Sequence, residues 1–425
     1  MDKSVAFHTL GCKLNYSETS TLSRKLEDDG FVKRNFDDVA DVYVINTCSV
    51  TENADKECRM IVRQIQKRAP EAMVVITGCY AQLKPEDIAR IEGVDLVLGA
   101  AEKFNLNSHL RELTKAGVGG VAKICSCDID DVNGFESSYS STDRTRAFLK
   151  VQDGCDYNCS FCTIPLARGH SRSDSIEGVL NNMRELALGG TKEIVLTGIN
   201  LGDFGKGEVG GRIHSSSFFE LIQEMDRVEG IDRIRISSIE PNLLTNEIIE
   251  FVSRSKKFMP HFHIPLQSGS NTVLGQMRRR YKRELYADRV AYIKELMPHC
   301  CIGVDVIVGF PGEGEVEFKE TFDFLHQLDI SYLHVFTYSE RPNTLAAEIK
   351  PIVPMGNRND RNKLLRNLSY QKMQYFTAQH RGTTRKVLFE NPGKNGMLEG
   401  FTDNYIKIET PSRSEWVKQI VDWVV

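Results

Sequence analysis

No apolar run in this 425-residue chain approaches the ~18 residues needed to cross a bilayer, and the N-terminus lacks the charged, apolar and small-residue succession of a secretory signal. Both absences predict a cytosolic (cytoplasmic) protein with no membrane partner. There is also little excess of charge of one sign, since 54 Lys and Arg against 58 Asp and Glu leave a net charge of −4. A surface coated in positive potential is thereby excluded, so any nucleic-acid contact must be a local patch. At 41% apolar and 26% charged, the composition is that of a globular protein with room for two or three domains. Cysteine, in contrast, is plentiful, with eleven in all. In a reducing compartment, and in a chain too large to need staples, metal binding explains them better than a disulfide framework.

Three of the eleven fall within eight residues, Cys155, Cys159 and Cys162 in VQDGCDYNCSFC, after a strand-like FLKVQ. Three thiolates at this spacing can hold a 4Fe-4S cluster and leave its fourth iron open to a small molecule. A structural zinc site, which normally takes a fourth Cys or His, and unrelated buried cysteines are the alternatives. A second set is dispersed. Cys12 follows VAFHTLG, Cys48 follows DVYVINT and Cys79 follows MVVITG, each a short apolar run ending in a turn signal. Helical patterns separate them: SETSTLSRKLEDDG, ENADKECRMIVRQIQKRAP and KPEDIARIEG. Such alternation predicts a parallel, doubly wound α/β sheet, in which cysteines just past three strand ends converge on one edge. Burial as small apolar residues suits Cys58, inside a helical pattern, and Cys300 and Cys301, at a strand start, better than it suits these three turn positions. Cys125 and Cys127 are given no role.

The stretch DIDDVNGFESSYSSTDRTR has linker chemistry. Beyond it six further strand candidates, AFLKVQ, EIVLTG, RIRISSIE, HFHIPLQS, CIGVDVIVGF and YLHVFTY, alternate with helices and predict a partial (β/α)6 barrel whose active site lies at the strand C-termini. The Cys155 motif follows the first of these. Thr197 and Gly198, Ser238 and Glu240, and Gln267 follow the second, third and fourth, with Gly309 and Tyr338 after the fifth and sixth. Each singly is as suited to a turn or cap as to a ligand; together they mark one face. Phe161 suits either shielding of a cofactor or a core role. A last segment, TRKVLFENPGKNGMLEGFTDNYIKIETP, alternates apolar and polar residues across glycine-containing turns and predicts a small β-barrel. The expected domains are therefore 1–124, a linker at 125–142, 143–380 and 381–425.

Taken together, these motifs resemble the radical S-adenosylmethionine (SAM) methylthiotransferase family over nearly the whole chain. TLGCKLNYSE and NTCSVTENADKECR are most similar to the branch acting on N6-threonylcarbamoyladenosine of tRNA. The isopentenyladenosine branch reads closer to GCQMN, and the ribosomal-protein branch closer to LGCPKN. The resemblance implies an enzyme with two 4Fe-4S clusters, the first on Cys155, Cys159 and Cys162, cleaving SAM to a 5′-deoxyadenosyl radical. The second, on Cys12, Cys48 and Cys79, would carry the sulfur, and a second SAM would methylate it. It further implies a TRAM-type RNA-binding module at the C-terminus, with Arg385, Tyr405 and Lys407 as candidate contacts. The substrate partner would be a tRNA anticodon loop, where the target base is already single-stranded. Other implied partners are an electron donor such as flavodoxin or ferredoxin and a sulfur donor. Basic residues between 355 and 389, namely Arg358, Arg361, Lys363, Arg366, Lys372, Arg381, Arg385 and Lys386, are expected to serve RNA binding, and the run MRRRYKR at 277–283 is read as either a phosphate contact or a solvated face. The competing classes are a methylthiotransferase of isopentenyladenosine or of a ribosomal-protein aspartate, and a non-catalytic metal-containing RNA-binding protein.

Overall fold

The structure, a computed structural model, describes residues 3–48, 52–112, 115, 120–141, 144–206, 215–393 and 396–425. Residues 49–51 of the Cys48 motif and 142–143 at the end of the expected linker lie outside the described residues. The chain begins with β1 (Ser4–Thr9), α1 (Lys13–Asp28), β2 (Val32–Lys33), β3 (Val42–Thr47), α2 (Glu52–Arg68) and β4 (Met73–Gly78). It continues with α3 (Cys79–Leu83), α4 (Pro85–Ala89), β5 (Leu96–Leu98), α5 (Leu106–Glu112) and β6 (Lys123–Cys125). These strands form one parallel sheet in the order β2-β1-β3-β4-β5-β6. β3, VYVINT, is buried throughout, as a central parallel strand covered on both faces must be. Its alternate residues divide between two cores: Tyr43 and Ile45 pack with Ile61 and Ile65 of α2, while Val42 and Val44 pack with Leu22 and Leu26 of α1 and with Leu106 of α5.

The expected linker is partly structured. Within it β7 (Ser138–Tyr139) pairs antiparallel with β8 (Arg146–Lys150) and is held by α1, whose Thr21 hydroxyl and Arg24 guanidinium donate to the Tyr139 carbonyl. A short antiparallel pair, β9 (Gln152–Asp153) with β10 (Arg172–Ser173), brackets the three-cysteine loop and the single-turn α6 (Ile164–Arg168) inside it. There follow α7 (Ile176–Leu188), β11 (Glu193–Thr197), α8 (Phe218–Arg227), β12 (Arg233–Ile236), α9 (Asn246–Arg254) and β13 (His261–Gln267). Next come α10 (Asn271–Gln276), α11 (Arg283–Leu296), β14 (Cys301–Val308), α12 (Glu315–Gln327) and β15 (Tyr332–Thr337). The expected six strands are thus present, in two parallel groups, β8-β11-β12 and β13-β14-β15. Parallel bridges Ile234 to Phe258 and Ser238 to His263 join the groups. Apolar residues such as Leu149, Leu196, Ile236, Ile264 and Val304 face the helices and form the largest core. Alternate residues face a polar lumen. Cys58, Cys300 and Cys301 are fully buried, in keeping with their core reading.

From Met355 the chain departs from expectation. Residues Met355–Ala378 form a 24-residue helix, α13, rather than an open basic patch. Arg358 pairs with Glu340 and Arg361 with Glu315 at 2.6 Å, and Lys372 donates to the His326 and Leu328 carbonyls. These residues are structural; Lys363, Arg366, Arg381 and Lys386 remain exposed. β16 (Thr384–Phe389), β17 (Met397–Thr402), β18 (Lys407–Pro411) and β19 (Ile420–Val424) form an antiparallel sheet in the order β18-β17-β16-β19. Among the described residues nothing pairs β18 with β19, so this is an open sheet where a small barrel was expected. Its apolar residues Val387, Phe389 and Ile408 pack with Phe376 of α13 and Tyr332 of β15. Being covered by its neighbours, the sheet has no need to curl onto itself to bury them.

Candidate functional site

Sequence position alone puts Cys155, Cys159 and Cys162 on one loop, and the fold aims that loop into the lumen. The three line a cavity of about 840 Å³ together with Cys12. Each sulfur accepts a hydrogen bond: from the Tyr157 amide to Cys155 and the Ile164 amide to Cys162, both at 3.4 Å, and from Arg279 to Cys159 at 3.1 Å. Burial pushes the Cys155 thiol up to about 12 and Cys162 to about 11, and raises Cys159. Among the described residues, the His263, Asp305 and His334 trio alone brings three metal-ligating atoms mutually within 4.8 Å. A tetrahedral zinc bound by thiolates at about 2.3 Å needs sulfurs roughly 3.8 Å apart, so the cysteines are spread too widely for that ion. The wider separation and the N–H donors suit a polynuclear iron-sulfur group.

Thr197, Gly198, Ser238, Glu240 and Gln267 line the same cavity, as does Phe161, which also packs edge-on against Phe310. Gln267 ends β13 in a left-handed conformation, φ 69°, beside a register shift in its pairing with β14. A non-glycine residue held there is strained, a recurrent feature of ligand-facing turns. Gly309 and Tyr338 lie outside the cavity lining. Gly309 sits against the Arg358 side chain and Tyr338 belongs to a small core with Phe310, so their place is behind Phe161, because the fifth and sixth strand ends turn toward α13 instead of the lumen. Arg279, from the MRRRYKR run, is the main residue the sequence concealed. It leaves the turn between α10 and α11, enters the cavity, and pairs with Glu240 while donating to Cys159. Arg280 stacks on Tyr157 at 3.9 Å, so the run is neither a phosphate track nor a solvated face as a whole.

Cys12, Cys48 and Cys79 follow the adjacent strands β1, β3 and β4. Cys12 precedes α1 and opens on the main cavity; Cys48 is nearly buried against Gly11; Cys79 begins α3 and lines a second cavity of about 200 Å³. Gly78 is needed for this approach, since its φ of 97° is left-handed and a Cβ there would strike the Thr47 carbonyl. Asn15 ties the loops by donating to the Leu10 and Thr47 carbonyls at 2.9 and 3.0 Å, and accepts from Arg168 at 2.6 Å. Behind them lies a buried ionic network. Glu18, wholly inaccessible, meets Lys103 at 2.7 Å, Arg168 at 3.1 Å and Lys150 at 3.3 Å, and Asp153 meets Arg168 at 2.9 Å. Burial pushes the Glu18 carboxyl up, but the three cations outweigh it and hold it well below the usual carboxylate range. This network locks α1 to the cysteine loop of the barrel, so the two thiol sets are fixed relative to each other.

The lower lumen is polar. His263 is held between Ser238 at 3.0 Å and Asp305 at 2.7 Å, and His261 stacks on Tyr405 at 4.1 Å. Arg235 donates to Glu193 and to the Thr402 and Asp403 carbonyls, and Arg233 to the Lys386 and Phe401 carbonyls, so the C-terminal sheet closes this end. Tyr405 consequently faces the cavity and is not an outer RNA contact; Arg385 is paired with Asp403 and Lys407 with Glu399. Lys13 projects into the cavity from the start of α1, and burial lowers its ammonium's pKa, with Arg146 adding to the effect and Asp305 opposing it.

Residues 4–99 match the uncharacterized protein family UPF0004 and residues 149–325 the radical SAM superfamily. The chain is similar to the threonylcarbamoyladenosine tRNA methylthiotransferase MtaB of Bacillus subtilis, 41% identical over 98% of this chain and 92% of that protein. The protein of that name from Aquifex aeolicus is 40% identical, covering 97% of each. A tRNA-2-methylthio-N(6)-dimethylallyladenosine synthase of Natranaerobius thermophilus is 31% identical over 97% of this chain and 92% of its own. Among solved structures, the radical SAM methyltransferase TsrM from Kitasatospora setae shares the fold, with a TM-score of 0.58 at 16% identity over 82% of this chain and 77% of that one.

Proposed function

Since the chain belongs to the family of radical SAM tRNA methylthiotransferases, we propose that it adds a methylthio group to C2 of N6-threonylcarbamoyladenosine beside the tRNA anticodon. The observation that carries this reading is the three-cysteine loop and Cys12 around one cavity large enough for a nucleoside and SAM, with Cys48 and Cys79 past the neighbouring strands and α1 tied to the loop by one ionic network. Cys155, Cys159 and Cys162 hold the first 4Fe-4S cluster, and Cys12, Cys48 and Cys79 the second. Bound there, the clusters and SAM would supply the one-electron chemistry and the sulfur that replacement of an unactivated sp² hydrogen requires.

The chain's own residues position the reactants. The Tyr157 and Ile164 amides and Arg279 offset charge on the first sulfur set. Thr197, Gly198, Ser238, Glu240 and Gln267 line one wall of the cavity and would hold SAM there, with Glu240 fixed by Arg279. The N-terminal sheet contributes Thr9 and the start of α1, from Gly11 to Leu14, to the wall of the lumen. An electron donor such as flavodoxin or ferredoxin, a sulfur donor and a tRNA anticodon loop are the partners.

The test is mass spectrometry of nucleosides from cells with and without the protein. Loss of the methylthio derivative of N6-threonylcarbamoyladenosine on deletion, and its return on complementation, is expected. Complementation with Cys155→Ala or Cys48→Ala should fail, while purified Cys48→Ala should still cleave SAM. An unchanged nucleoside would refute the substrate and direct attention to isopentenyladenosine or a ribosomal-protein aspartate.

A further inference from the structure

The cations of the lower lumen divide into engaged and free. Arg235 is held by Glu193 and two carbonyls, Arg146 by Glu390 at 2.8 Å. Lys13 differs. It lines the large cavity, and among the described residues no hydrogen bond or ion pair engages its ammonium. Asp305, the carboxylate that faces it, is already taken by His263 at 2.7 Å. A cation presented on the cavity wall without a partner is complementary to an anion brought in from outside.

Resting on the function proposed above, the identity of that anion follows from the substrate's chemistry. On the adenine ring, C2 and the C6 that bears the exocyclic nitrogen both flank N1, so an N6 substituent lies along the edge that carries C2. A receptor for the substituent must therefore stand close to the group that delivers sulfur to C2. Lys13 is the residue after Cys12. The threonylcarbamoyl group ends in a carboxylate, whereas the phosphates of an RNA whose base has entered the lumen stay at the mouth. We propose that Lys13 receives the carboxylate of the substrate's threonylcarbamoyl group and so selects the modified adenosine.

The test uses the reconstituted full-length enzyme and two anticodon stem-loop RNAs, one carrying N6-threonylcarbamoyladenosine and one with that carboxylate converted to a carboxamide. Wild-type enzyme should favour the carboxylate RNA by about 10- to 100-fold in kcat/KM, the range of a charge-assisted hydrogen bond. Lys13→Gln should erase that preference, mainly by raising KM for the carboxylate RNA, and Lys13→Arg should keep part of it. Iron and sulfide content equal to wild type would exclude loss of the neighbouring cluster as the cause. Equal impairment of Lys13→Gln on both RNAs, as a phosphate or cluster role predicts, would overturn the inference while leaving the function intact. Wild-type enzyme inert on both but active on isopentenyladenosine RNA would overturn the substrate reading and this inference together.

Discussion

Replacing Glu18 by Gln keeps its shape and removes one of two carboxylates that face Lys103, Lys150, Arg168 and Arg172. All are buried, so the cations left behind cannot recover their charge balance from solvent. Breaking a buried pair from one side costs about 3–5 kcal/mol. At 1.36 kcal/mol per decade this is roughly a 150- to 5,000-fold rise in the opening of α1 away from the barrel. Hydrogen exchange of the α1 and α6 amides, read by mass spectrometry at pH 7, would register it. Because the folded carboxyl of Glu18 titrates below its unfolded value, its contribution is present above pH ~4.3 and lost only as pH falls through the depressed folded value. The difference between wild type and Glu18→Gln should therefore be constant from pH 5 to 8 and shrink in acid. Adding Arg168→Met removes one uncompensated cation, so the double variant should open less than the sum of the two singles. A change in opening free energy below about 1 kcal/mol at pH 7 would show that the network does not hold the two halves together.

Two further outcomes follow from the site's geometry. Gly78→Ala forces a Cβ onto the Thr47 carbonyl at a left-handed backbone, so iron content after reconstitution should fall by about half while SAM cleavage persists; full iron loading would contradict this. Arg279→Met removes the donor to Cys159 and leaves the half-buried Glu240 carboxylate without its partner, so RNA-free formation of 5′-deoxyadenosine should drop at least 10-fold, with Arg279→Lys intermediate. A wild-type rate in Arg279→Met would show that the pair does not position SAM.

The parts of this molecule legible in its sequence are those governed by period and local spacing. Short apolar runs alternating with helices place Cys12, Cys48 and Cys79 past three neighbouring strands, and the tight loop places Cys155, Cys159 and Cys162 together, before any coordinates are known. What the pattern hides is set by tertiary context. Arg279 sits in a charge run that reads as surface, yet the turn between α10 and α11 folds inward. Arg358 and Arg361 look like an RNA patch because their partners Glu340, Glu313 and Glu315 belong to other elements. The closure of the last sheet depends on whether neighbours cover its apolar face, which strand periodicity does not encode. Lys13 is adjacent to a motif cysteine but shows its isolation only once every nearby carboxylate has been assigned.

The arginines of β12 grip the final sheet through its peptide carbonyls, atoms that every amino acid supplies alike. Docking of this kind tolerates drift in the side chains of the docked piece, provided its backbone keeps the same path. A tail borrowed from a distant relative could therefore seat on this barrel if it kept the apolar residues that meet Phe376 and Tyr332 and a carboxylate for Arg146. Such an exchange would be felt in the reaction chamber chiefly through Tyr405, whose ring forms part of the chamber's floor. The tail's evolutionary freedom and its influence on the substrate thus meet at a single ring.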